Sequence, residues 1–184
     1  MSEPIAAEQS RSWLRWALFT VPAITALGIF AAYVSNSGEE NPWFAALNKP
    51  SINPPGWLFP VAWTTLYVLI GLVIAMILAA PRGKGRSIAI IFFLGQLALN
   101  FCWSPIFFGQ HRIMLGLGVI IAMFAWAAIA TVLFWHMRRA AAWLMLPYLA
   151  WLLFAGILNW QFHVLNPSNR ALVGAPVSSQ ISAE

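Results

Sequence analysis

Neutral amides, phenols and indoles recur at helical spacing inside long apolar runs of this chain. Gln96, Asn100, Trp103 and Phe107 fall at i, i+4, i+7 and i+11 of one run, which places them on one narrow face of a helix. Tyr148, Trp151, Ala155 and Asn159 fall at i, i+3, i+7 and i+11 of another, and Trp63 and Tyr67 are one turn apart in a third. Two kinds of chemistry suit such stripes. Amides and phenols that face one another hydrogen-bond between helices, the ordinary polar glue of apolar bundles. The same groups, set among indoles, line a site where a flat aromatic molecule stacks. Spacing alone leaves both open.

Other chemistries lack residues. Asp, Glu, Lys and Arg are absent from the centres of the apolar runs, and ion-coupled pumps ordinarily need ionisable groups there. This argues against an active transporter and leaves a passive carrier open. His111, His136 and His163 stand at the ends of runs with no i, i+4 pair, which fits turn or interface roles better than metal ligation. The chain has no CxxC, no HExxH, no phosphate loop and no Ser-His-Asp arrangement. Its single cysteine, Cys102, cannot form an intrachain disulfide.

The elements that must position the stripes follow from composition. Of 184 residues, 61% are hydrophobic and only 8% charged, against about 25% charged in a soluble globular protein. So few charges cannot coat a water-facing surface. Five membrane helices of roughly 20 residues would use about 100 residues and account for the excess. Disorder, collagen-like repeats and nucleic-acid binding are excluded by the same composition, despite a net charge of +5. The expected fold class is an all-α integral membrane protein, a bundle of five transmembrane helices. The spans are placed at about 13–35, 57–80, 87–108, 113–136 and 140–165. A polar segment (1–12) precedes them, a proline-rich loop (36–56) follows the first, and a polar, mobile tail (167–184) ends the chain. The first run is longer than a signal-peptide core, so it reads as a retained span. No internal repeat suggests an inverted-repeat transporter.

Seven of the ten basic residues lie in the N-terminal segment and in the second and fourth connections, and Lys49, Arg112 and Arg170 lie on the other side. The positive-inside rule then puts the N-terminus in the cytoplasm and the proline-rich loop outside. Of the eleven tryptophans, Trp13, Trp16, Trp57, Trp135, Trp143 and Trp160 stand near span ends, as an aromatic belt does. Trp63, Trp103, Trp126 and Trp151 are deeper, where a stacked flat ligand would explain them. Small-residue pairs that suit a helix contact with a second copy are Gly28 with Ala32 and Ala98 with Cys102.

Several segments together resemble one family. Leu47-Asn48-Lys49-Pro50-Ser51 with Pro54-Pro55-Gly56-Trp57, then Trp63-Thr64-Thr65-Leu66-Tyr67, is similar to the tryptophan-rich sensory protein and translocator protein family, also called peripheral-type benzodiazepine receptors. The match continues through Gln96-Leu97-Ala98-Leu99-Asn100, Trp103-Ser104-Pro105-Ile106-Phe107-Phe108-Gly109, Pro147-Tyr148-Leu149-Ala150-Trp151 and Leu158-Asn159. The resemblance spans roughly Trp13 to Asn166. It implies a five-helix bundle, often a homodimer, that binds porphyrins such as protoporphyrin IX and haem, and other flat hydrophobic molecules, without a required cofactor. It implies a pocket lined by Trp63, Tyr67, Asn100, Trp103, Phe107, Tyr148, Trp151, Ala155 and Asn159, with Trp43, Pro50, Ser51 and Pro54 in a lid. A sensor or regulator of tetrapyrrole and stress responses is the role implied first. Light- and oxygen-dependent degradation of protoporphyrin IX, with Trp63 and Trp151 as photochemically active residues, and passive porphyrin or sterol transport are the alternatives.

Two departures from the family pattern matter. Ser51-Ile52 stand where some relatives carry a further lid tryptophan. The segment Leu158–Val164 has Trp160 in place of tyrosine and no Lys or Arg within reach, so the cholesterol-recognition pattern is broken and a tetrapyrrole in a bacterial cell envelope is expected instead. Lys49 or Arg112 is the expected partner of a porphyrin carboxylate.

Overall fold

The computed structural model describes residues 3–167. The described chain is helical: α1 (Glu3–Val34), α2 (Pro42–Ala46), α3 (Leu58–Leu78), α4 (Lys84–Ser104) continued by a π-helical turn (Pro105–Gly109), α5 (Ile113–Met137) and α6 (Arg139–Leu165). Five stretches are long and apolar enough to cross a membrane: Ser12–Val34, Leu58–Leu78, Lys84–Gly109, Ile113–Met137 and Arg139–Leu165. In hydrocarbon every backbone polar group must be satisfied internally, and these runs do so as helices. The polar N-terminal segment expected over 1–12 is helical from Glu3 onward, consistent with a proline at position 4, where the missing N–H is not needed. The expected mobile tail, from residue 168 on, lies outside the described residues, as does Arg170.

Each helix end has a physical cause. At the end of α1 Asn36 takes a left-handed conformation with φ 47°, and Ser37 N donates to Ala32 O at 3.0 Å while Asn36 N donates to Tyr33 O at 3.1 Å. This is a Schellman closure with Asn in the usual place of Gly. Asn41 caps α2 by accepting from Phe44 N at 3.1 Å, with Pro42 as the first helical residue. At the end of α3 the Arg86 guanidinium donates to Leu78 O and Ala80 O, both at 2.9 Å, so a cation sits on the negative end of the helix. The π turn begins at Pro105, which lacks an N–H, and Gln110 N donates to Pro105 O at 2.9 Å. The apolar run had suggested an unbroken α-helix there.

The bundle is solid at one end and hollow at the other. Away from the α1–α3 loop, Ile70, Val73, Ile77, Phe93, Phe134 and Met145 are completely buried, and Phe93 and Phe134 pack with ring centroids 6.2 Å apart. Near the loop, a second cluster of Trp43, Phe44, Phe107, Phe108, Leu158 and Phe162 roofs a cavity. Glycines let helices approach closely. A Cβ on Gly71 would stand 2.8 Å from Val21 Cα, and Thr20 Oγ1 donates to Gly71 O at 2.7 Å across the same contact. Gly28 faces the Tyr67 ring, where any Cβ would collide. Gly28 with Ala32 therefore lies against the cavity wall and not on a face free for a second copy. Ala98 and Cys102 are exposed on α4.

A backbone contact cannot yield to an added side chain as a flexible side chain can. Gly71→Leu is expected to destabilise the bundle by about 1–3 kcal/mol, seen as a lower thermal unfolding midpoint in detergent micelles. Gly118→Ala, with nothing within 4 Å of its added Cβ, is expected to leave that midpoint unchanged or slightly raised. Equal midpoints for the two variants would refute the α1–α3 close approach.

Candidate ligand pocket

The cavity has a volume of about 550 Å³, within the range of about 300–1,000 Å³ that holds small ligands. Trp63 and Tyr67 from α3 form one wall and Asn100 and Trp103 from α4 another, extended by Phe107 of the π turn. Trp151, Ala155 and Asn159 supply the α6 wall. These eight sequence-predicted residues are brought together around one space. The rings of Trp63 and Trp151 meet edge to face at 6.2 Å and 80°, and Trp63 lies 5.4 Å from Tyr67. Trp103 and Phe107 stack at 4.9 Å and 16°. Such faces and edges suit an inserted flat aromatic molecule.

Beneath the cavity the amides and phenols form a hydrogen-bonded ladder across three helices. Tyr67 Oη donates to Asn100 Oδ1 at 3.0 Å, Asn100 Nδ2 donates to Tyr148 Oη at 3.1 Å, and Tyr148 Oη donates to Gln96 Oε1 at 2.7 Å. Tyr67 and Asn100 touch the cavity, whereas Tyr148 and Gln96 are fully buried behind them. The polar stripes thus serve in both of the ways their spacing allowed: as interhelical glue below and as pocket lining above. Gln96 Nε2 is left without a partner in this ladder, and Asn159 stands outside it. It is buried, and neither its Oδ1 nor its Nδ2 has a partner.

Five predicted site residues lie elsewhere. Tyr148 is in the ladder, off the cavity surface. Trp43, in the lid helix α2, stacks on His111 at 4.6 Å and meets Phe107 edge-on at 5.4 Å, while its neighbour Phe44 faces the cavity. Pro50 is buried in the lid and Ser51 is exposed. Pro54 lines a shallow groove on the outside of α3 and α6, with Trp151 forming the partition between groove and cavity. Trp126, one of the deep tryptophans, fits over Gly95 and packs on Phe92 at 5.1 Å, so helix packing explains it. Lys49 and Arg112 do not line the cavity. The Lys49 ammonium lies 5.1 Å over the Phe44 ring and donates to Phe44 O at 3.5 Å.

Sequence reasoning missed Phe44, Phe59, Leu158, Phe162 and the segment Ser37–Glu40, all on the cavity. Phe44 and Phe162 carried a signal, since Phe44 lies one residue from Trp43 and Phe162 about one turn beyond Asn159. The loop segment carried none. The lid is fixed at both of its ends. The Ser37 and Ser104 hydroxyls are hydrogen-bonded to each other, and Asn41 Nδ2 donates to Asn36 O at 3.0 Å. At the far side Asn48 N donates to Asn166 Oδ1 at 2.9 Å, and Asn166 Nδ2 donates to Asn48 O at 3.0 Å.

The fold and the cavity define an integral, multi-pass membrane protein with an aromatic-lined pocket. The profile of the TspO/MBR family matches residues 19–165. The chain is 39% identical over 153 residues to the tryptophan-rich sensory protein of Cereibacter sphaeroides, covering 82% of this chain and 92% of that one. It is 39% identical over 147 residues to the tryptophan-rich protein TspO of Archaeoglobus fulgidus (80% and 94% covered) and 37% identical over 166 residues to the translocator protein of Bos taurus (87% and 96%). This chain belongs to the TspO/MBR family.

The ladder yields a stability test. Tyr148→Phe keeps the ring and removes the hydroxyl that both accepts from Asn100 and donates to Gln96, leaving two buried groups short of a partner. A loss of about 1–2 kcal/mol is expected, read as a lower unfolding midpoint in micelles by circular dichroism. An unchanged midpoint would mean that the ladder contributes nothing to stability.

Proposed function

We propose that this chain binds porphyrins and other flat hydrophobic molecules within the membrane and acts as a sensor or regulator of tetrapyrrole and stress responses. The observation that carries the reading is the cavity of about 550 Å³ walled by Trp63, Trp103 and Trp151 and roofed by aromatic rings. Burial of a flat apolar ligand there is worth about 25 cal/mol per Å² before ordering costs. The fixed rings lower the ordering cost on the protein side. The sensory role is supported by the similarity to the tryptophan-rich sensory protein of Cereibacter sphaeroides.

The test is quenching of tryptophan fluorescence by protoporphyrin IX in nanodiscs. Saturable quenching at micromolar or lower concentration is expected, weakened by about tenfold or more in Trp151→Ala and absent with a porphyrin too bulky for the cavity. Linear quenching that ignores the substitution would mean partition into lipid and would end the reading.

A second reading is favoured by the Trp63–Trp151 pair, whose indoles meet at 6.2 Å inside the cavity. An indole beside a photoexcited macrocycle is placed to donate an electron. Light- and oxygen-dependent loss of bound protoporphyrin IX is then expected to slow when both residues are changed to Phe. Loss at the wild-type rate, with the porphyrin still bound, would remove the photochemical role.

A further inference from the structure

The two ends of the bundle differ in charge. Between residues 12 and 167 the only carboxylates are Glu39 and Glu40, which share the loop end with Lys49 and Arg112. The chain's other acids, Glu3, Glu8 and Glu184, lie near its termini. The opposite end carries Arg82, Lys84 and Arg86 where α3 turns into α4, and Arg138 and Arg139 where α5 turns into α6. Neither turn contains an acid. Arg86 is committed to the last carbonyls of α3, whereas the other four cations have no counter-charge in their own turns.

At the α5–α6 junction these charges sit at the head of an apolar track. Arg138 alone separates the two helices. Its backbone closes both of them, since its N–H donates to Phe134 O at 2.6 Å and its carbonyl accepts from Ala141 N at 3.0 Å. The Arg139 guanidinium lies over the Trp135 ring, 5.5 Å from its centroid. Trp135 in turn meets Trp143 edge-on at 5.7 Å. Both indoles are exposed, and so are Val132 on α5 and Leu146 on α6, each one turn further toward the middle of its span. An aromatic belt accounts for indoles at this level. It does not account for a guanidinium laid on one of them above a continuous exposed apolar strip. That sequence of charge, indole and aliphatic surface matches a phospholipid read from headgroup to chain. The start of α6 has no acid in its first turn and no side-chain cap, so its positive end adds to the two arginines.

We propose that the α5–α6 junction seats an anionic phospholipid of the adjoining leaflet. Arg138 and Arg139 hold its phosphate, Trp135 and Trp143 pack at the level of its glycerol, and one acyl chain lies along Val132 and Leu146. A zwitterionic headgroup brings its own ammonium to this cluster and is disfavoured, whereas an anionic one supplies the missing counter-charge. The site is on the outside of the bundle and independent of the cavity.

The test is native mass spectrometry of the full chain from mixed micelles holding phosphatidylglycerol and phosphatidylcholine with identical chains in equal amounts. The wild type is expected to retain phosphatidylglycerol about tenfold over phosphatidylcholine. Arg139→Gln, an exposed position, is expected to cut that preference about fivefold, and adding Arg138→Gln to bring it near parity. Lys49→Gln with Arg112→Gln removes as much charge from the far end and is expected to leave the preference within twofold. Trp143→Ala changes no charge and is expected to lower phosphatidylglycerol retention about threefold. An unchanged unfolding midpoint of Arg139→Gln in zwitterionic micelles shows that its loss of preference is not a loss of fold. Equal retention of the two lipids by the wild type, or a preference that survives both arginine substitutions, overturns the site. A preference that falls equally in the far-end variant overturns it as well, because total charge would then explain the result. Full retention in Trp143→Ala overturns the seated lipid and leaves only a diffuse attraction between charges.

Discussion

The ladder from Tyr67 through Asn100 and Tyr148 to Gln96 is the constraint on which the rest of the structure depends. Helices in lipid gain no hydrophobic drive to associate, because the surrounding tails are as apolar as their side chains. Directional bonds and close packing must supply the difference. Asn100 binds α3 through Tyr67 and α6 through Tyr148, so one amide fixes the mutual rotation of three helices. That rotation turns Trp63, Trp103 and Trp151 toward a common space. Below the ladder, side chains close the bundle completely. Above it the facing side chains leave a cavity that the aromatic cluster roofs.

The lid completes the enclosure by different means. It is tied through short polar side chains at its ends, with Ser37 on Ser104 and Asn48 on Asn166, and through aromatic contacts in its middle. None of these ties is an ion pair. Apolar contacts and neutral hydrogen bonds are not weakened by charge screening, whereas surface charge pairs are. The lid is therefore held over the cavity by interactions that a nearby lipid headgroup or counterion does not compete for electrostatically.

Much of this was legible in the sequence, and the failures share a cause. Hydropathy located the spanning helices, and helical periodicity picks faces of α3, α4 and α6 that the structure turns toward one cavity. Periodicity gives the direction of a side chain but not its depth, so Tyr148 and Trp151, on one stripe, were read alike although one lies in the ladder and the other on the cavity. Packing between helices distant in sequence was invisible for the same reason. Trp126 looked like a ligand-stacking residue because Gly95, which makes room for it, lies 31 positions earlier. Gly28 looked like an outward contact because nothing local announces the Tyr67 ring opposite. The π turn was hidden because a proline following a serine inside an apolar run is also compatible with an α-helix. In the lid, five residues of helix are too few for a periodic signal, and Trp43 was chosen where Phe44 faces the site.

Charge was the other point where sidedness misled. Lys49 and Arg112 lie at the loop end of the bundle, and proximity to that end made them natural partners for an anionic ligand. Position along the membrane normal does not decide which way a side chain reaches. Lys49 finds a ring face and a carbonyl within its own lid, where its apolar stem is covered and its ammonium keeps both attraction and solvent. Glu39, by contrast, is drawn to the start of α3, the end of a helix that favours negative charge, and it needs the absent side chain of Gly56 to sit there. A net positive chain thus presents a negative rim to its cavity. What a pocket meets is set by the few groups at its mouth, and the sum over the sequence carries no information about their sign.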